Sequence, residues 1–171
     1  AQFDEWQKGQ PAYAGQPMTF IIGGYDDGEP YGHLYQCSIP GQPKPIEMNP
    51  GDFGITWGGQ REIADRLLQG FDGRLLPMLA QKYGLDAAAQ AQLASELQQT
   101  LQLPTPLTAM PLQDCVDLAF LLIETTIEAQ RLTVTLRGCG GPVDLVVITR
   151  SGLEVVQRKR IHGQGEQERR R

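Results

Sequence analysis

Short apolar runs stopped by glycine and proline open the chain, and longer runs at helical spacing follow. Met18-Thr19-Phe20-Ile21-Ile22 is apolar and β-rich and ends at Gly23-Gly24, which predicts a buried strand. Asp26-Asp27-Gly28-Glu29-Pro30 supplies turn chemistry. His33–Ile39 predicts a second strand, broken at Pro40-Gly41, and Ile46–Met48 a short third. Phe53–Trp57 predicts a fourth, ending at Gly58-Gly59. Such closely spaced runs fit an antiparallel meander. Residues 1–17, with Gly9, Pro11, Gly15 and Pro17, read as a loop.

From Gln60 the period changes. Ile63, Leu67 and Leu68 predict a helix that stops near Gly70. Leu75–Tyr83 predicts another, ended by Gly84. Asp86 is a good N-cap for a third over Ala87–Leu101, with Leu93, Leu97 and Leu101 on one stripe. The three prolines of Leu103–Pro111 read as a linker. Leu112–Gln130 carries the strongest helical signal. Pro111 precedes it, Asp114 lies in its first turn, and apolar residues from Leu118 to Ile123 cover nearly its whole circumference. A helix apolar all round is expected to be buried on more than one side. Gly138-Cys139-Gly140-Gly141-Pro142 predicts a turn into a core strand, Val143–Ile148, and Ser151-Gly152 turns into a partner strand, Leu153–Gln157. Strands at both ends with helices between make an α+β pattern.

Composition narrows the class. A chain of 171 residues suits one domain, and 40% hydrophobic residues can supply a core. No run approaches the roughly 20 apolar residues that span a bilayer, so no membrane partner is expected. Ala-Gln-Phe-Asp-Glu-Trp has neither a basic nor an apolar region of a signal peptide. Without an initiator Met, the numbering is expected to start inside a longer product or after processing. Cys37, Cys115 and Cys139 lack CxxC spacing, which argues against a disulfide framework or a zinc site and favours a reducing, cytoplasmic setting. No metal or other cofactor is expected.

The net charge of −5 hides an asymmetry: Arg158–Arg171 holds six basic and two acidic residues, a balance of +4, leaving −9 on Ala1–Gln157. A basic arm can mark nucleic-acid binding. Here Gly163, Gly165 and the interspersed Gln residues read instead as a solvated terminus, with 164–171 a charged disordered tail. Arg158–Arg171 has no Phe, Tyr or Trp to stack on a base, so no nucleic-acid partner is expected.

Other residues with possible chemistry have plainer readings. Asp26, Asp27 and Glu29 reach cation-binding density without an EF-hand pattern, and a solvated hairpin turn accounts for them. His33 and Cys37 share a strand face with Tyr35 between them, which reads as a packed surface. Cys139 between glycines is a small residue in a tight turn, with no His nearby in sequence.

Two blocks carry a family resemblance. Phe20-Ile21-Ile22-Gly23-Gly24-Tyr25-Asp26, Leu34-Tyr35 and Gly58-Gly59 leading into a helix form the first. The second is Met110-Pro111-Leu112-Gln113-Asp114-Cys115-Val116-Asp117-Leu118-Ala119 with Gly140-Gly141-Pro142-Val143-Asp144-Leu145-Val146-Val147-Ile148. Over about Met18–Gly70 and Met110–Gly163 the chain resembles the C-terminal part of proteasome-type N-terminal-nucleophile hydrolase subunits, closest to their bacterial proteasome-like branch. The resemblance implies a four-layer αββα sandwich over residues 1–163. Its first strands would lie before Ala1, and residues 71–109 would be an added helical segment. It also implies homologous subunits packed into a ring, and a peptide as substrate.

Peptidases of this family use an N-terminal Thr, Ser or Cys whose free α-amine is the general base. Ala1 has no nucleophilic side chain, so the nucleophile is expected upstream, and the internal Thr125 and Thr126 have no free amine. By the same resemblance, Gly58 and Gly59 line the cleft. Gln130 and Cys139, beside Gly140, stand where the family holds an acid and a serine that orient the amine. Neither is the family's residue, and Leu132–Leu136 are extra residues between them. This leaves two readings: a subunit of a threonine-type peptidase, or a non-catalytic subunit of the same fold.

Overall fold

The computed structural model describes Glu5, residues 15–134 and residues 138–157. The basic tail from Arg158, Arg137, and most of the first 14 residues lie outside that set. The described chain is mixed α+β, with two small antiparallel sheets and four α-helices. It divides into two compact units, one built on the chain up to Gly54 with Ile148–Glu154, the other on Ile55–Val147 with Val155 onward.

In the first unit, β1 (Met18–Gly24), β2 (His33–Ile39) and β3 (Gln42–Glu47) form a meander in the order β1-β2-β3. The β1–β2 register runs from Met18 opposite Ile39 to Gly24 opposite His33. Alternation therefore puts Met18, Phe20 and Ile22 on one face with Ile39, Cys37 and Tyr35. The other face is more polar, and there the Thr19 and Ser38 hydroxyls meet at 2.9 Å. The expected burial of β1 is not met, since Met18 is 60% exposed, Phe20 41%, Ile21 45% and Ile22 51%.

β3 starts earlier than the sequence predicts. Pro43 and Pro45 hide the strand signal, yet an edge strand tolerates proline because half of its N–H groups have no ladder partner. The fourth strand, Phe53–Trp57, does not form. Asn49 takes a left-handed conformation at φ 52°, the Asp52 N–H donates to the Asn49 carbonyl at 3.1 Å, and the Asp52 carboxylate accepts from the Phe53 N–H at 2.7 Å. This local turn takes the hydrogen bonds a strand would need. Tyr31 and Phe53 then stack edge-on at 5.4 Å.

The second unit holds the helices α1 (Glu62–Gln69), α2 (Leu75–Tyr83), α3 (Ala87–Leu101) and α4 (Leu112–Leu132). α1 packs on α4, and α2 pairs with α3. The core joins Ala64 and Leu68 of α1 to Leu122 of α4, flanked by Ile55, Trp57 and Leu118. Gly70 ends α1 at φ 82°, and a Cβ there would come within 2.4 Å of the Leu101 side chain. The glycine thus provides both the left-handed cap and the close approach of α3. Asp86 caps α3 by accepting from the Ala89 N–H at 2.8 Å.

α4 is buried on one side only. Leu122 is 7% exposed, but its neighbour Leu121 is 54% exposed, so the all-round apolar character of the helix is not matched by all-round packing. β4 (Leu145–Thr149) and β5 (Gly152–Gln157) form a separate hairpin. Instead of a core strand, β4 alternates half-buried and exposed positions, with Val146 and Ile148 exposed. No helix among the described residues is long and apolar enough to cross a membrane.

Candidate functional site

The site is built in the second unit by three segments distant in sequence. The first is the stretch from Trp57 into α1. The Trp57 indole N–H donates to the Asp65 carboxylate at 2.7 Å. The Arg61 guanidinium lies 5.5 Å over the indole ring and 3.5 Å from the same carboxylate. Asp65 is buried, and a buried carboxylate needs such partners. This anchor holds the exposed Gly58-Gly59 step, where Gly59 adopts φ 73°.

The second segment is the end of α4, and the third is the glycine-rich turn after it. The side-chain oxygen of Gln130 accepts from the backbone N–H of Gly138 at 2.8 Å and of Cys139 at 3.1 Å. Two successive amides converge on one oxygen, a small anion-type nest filled by a neutral amide. The same turn passes tightly over Gln60, so that a Cβ at Gly138 would come within 2.3 Å of the Gln60 side chain. A side chain at Gly138 would have to displace the flexible Gln60 amide. At Gly58, Gly59 and Gly140 a Cβ would meet nothing within 4 Å, so packing against neighbours does not dictate those glycines.

A cleft of about 310 Å³ opens beside Gln130, lined by Gln60, Glu62, Arg66, Arg74 and Thr133 among others. On one wall, two arginines meet at Asp72. Arg74 donates to both oxygens of that carboxylate, at 3.0 and 2.8 Å, and Arg66 donates at 2.7 Å. The Arg74 side chain, then the Arg74 backbone N–H, then Arg66 hold the Asp72 carboxyl well below the usual carboxylate range. A Glu62 oxygen stands 3.7 Å from Arg74 Nη1. Both guanidinium groups are thus paired with carboxylates, and the charges of this wall balance.

Of the residues singled out by sequence, Gln130 and Cys139 are thus joined directly, and the step after Gly58-Gly59 meets their turn through Gln60. Gly140 continues that turn. Sequence reasoning missed Gln60, Arg66, Asp72 and Arg74. The only signal for the last three was their charge, since arginine and aspartate on an exposed helix and loop carry no periodicity that marks a pairing.

The remaining candidates fall in the first unit. His33 Nδ1 lies 2.6 Å from a Glu47 oxygen, across from β3, and its ring stacks on Tyr35 at 6.2 Å. Asp26, Asp27 and Glu29 sit in an exposed turn, where the Glu29 N–H donates to the Asp26 carbonyl at 3.2 Å. No group of three His, Cys, Asp or Glu able to hold a metal occurs among the described residues. No family model, curated protein or solved structure matches the chain.

Proposed function

We propose that the chain is the C-terminal part of a proteasome-like subunit, and that it acts as the supporting half of the fold and not as its reacting centre. The observation that carries this is the Gln130 clamp. In the resembled family an acid at this place orients the N-terminal amine. Here the side-chain oxygen of Gln130 already accepts two backbone amides, and a neutral amide cannot balance an ammonium. Its role is to fix the Gly138–Cys139 turn. The finer architecture, a four-layer αββα sandwich completed by strands from elsewhere, belongs to the same proposal. The exposed apolar side chains of β1, and Leu121 and Ile123 on α4, support it, since each layer of such a sandwich needs a neighbour.

A second reading, a threonine-type peptidase with its nucleophile outside residues 1–171, is favoured by the meeting of the Gln60, Gln130 and Gly138 segments beside a cleft. Both readings expect homologous subunits in a closed ring. Native mass spectrometry of the protein, together with negative-stain microscopy, is the test. Closed rings of one repeated subunit are expected. A particle that stays monomeric at high concentration would remove the family assignment.

A further inference from the structure

The three-stranded sheet has two unlike edges. β3 carries Pro43 and Pro45 with Lys44 between them. Proline cannot donate to a ladder, and an edge lysine resists addition of a further strand. β1, at the other edge, reads Met-Thr-Phe-Ile-Ile-Gly-Gly, with no proline and no charge. Its apolar side chains are exposed on both faces. Among the described residues, one edge is thus protected and the other open.

We propose that β1 pairs antiparallel with β1 of a second copy of this chain, making a six-stranded sheet with a β3 strand at each outer edge. Charge selects the direction. β1 runs into Asp26-Asp27 at its C-terminal end, while Gly15-Gln16-Pro17 before it is uncharged. Antiparallel pairing sets each acidic end against the partner's neutral end, whereas parallel pairing would place four aspartates side by side.

Parity selects the register. Residues directly opposite one another share a face, so apolar Phe20 must face a residue of its own parity. The pairing that uses all of Met18–Gly24 sets Ile21 opposite Ile21 and Phe20 opposite Ile22, an aromatic–β-branched pair on each side of the two-fold axis. The protected β3 edges then end the sheet, so the contact closes at two copies and does not run on as a filament. This inference rests on the sheet edges alone and stands apart from the proposed function.

Sedimentation velocity over a wide concentration series tests it, read with far-UV circular dichroism to confirm folding. The wild-type chain is expected to show a reversible monomer–dimer equilibrium. Ile21→Lys and Ile21→Glu each set like charges opposite one another and are expected to weaken the dimer by at least about tenfold. An equimolar mixture of the two variants is expected to restore dimer as a heterodimer. That rescue also shows that both variants remain folded at the edge. Hydrogen exchange on the wild type gives an independent reading, with protection of the β1 amides rising as concentration rises. A monomeric wild type, open-ended growth past the dimer, β1 protection independent of concentration, or a mixture no more associated than its components would each overturn the proposal.

Discussion

Gln130 is a neutral acceptor, and its position at the end of α4 lets it close a turn eight residues further on. The Gly138 and Cys139 amides have this one side-chain oxygen as their acceptor. Gln130→Ala leaves both donors to water, and Gly138 is exposed enough for water to reach it. The expected loss of stability is therefore modest, about 1 kcal/mol. The local effect is larger: exchange of the Gly138 and Cys139 amides, followed by hydrogen–deuterium mass spectrometry, should speed up while the α1–α4 core stays protected. Unchanged exchange at the turn would show that the clamp does not hold it. Gln130→Glu keeps an acceptor in place and should retain most of the protection.

At the scale of elements, the meander and the helices show how much the sequence disclosed. β2, α2 and α3 match the predicted spans, because their ends are written as Pro40, Gly84 and Asp86. The strand over Phe53–Trp57 failed because Asn49 and Asp52 build a local turn and Trp57 is drawn to Asp65. Hydropathy has no access to either bond. The Gln130 clamp was legible only as a pair of candidate residues. The Arg66–Asp72–Arg74 wall was not legible, since its geometry depends on how α1 ends and α2 begins.

The sheet also carries a pH dependence. The hydrogen bond to Glu47 raises the pKa of His33, desolvation opposes it, and the charges of Glu47, Asp26 and Glu29 add to the rise. A folded value above the ordinary 6.5 means that the stabilisation is fully present below about pH 6.5 and is lost as pH rises through the folded value. Urea midpoints of the sheet, followed by tyrosine fluorescence from pH 5.5 to 8.5 (roughly the histidine range), should fall with rising pH. The slope should flatten in His33→Gln. An identical slope in that variant would assign the dependence to other groups.

At the scale of the whole molecule, apolar side chains outnumber the places found to bury them. Ala64, Leu68, Phe71, Leu122 and Val143 are the buried hydrophobic residues among those described, while β1, β5 and one face of α4 leave large apolar side chains in contact with solvent. A chain patterned this way is suited to being covered by further layers, from its own polypeptide or from neighbouring subunits. The central claim is that this chain supports a proteasome-like centre without supplying the attacking group. It is tested most directly by intact-mass labelling with a peptide epoxyketone, which requires a nucleophile and its free α-amine on the same residue. No adduct on residues 1–171 is predicted. A stoichiometric adduct in which both the nucleophile and the α-amine of one residue of this chain are bound would contradict the claim.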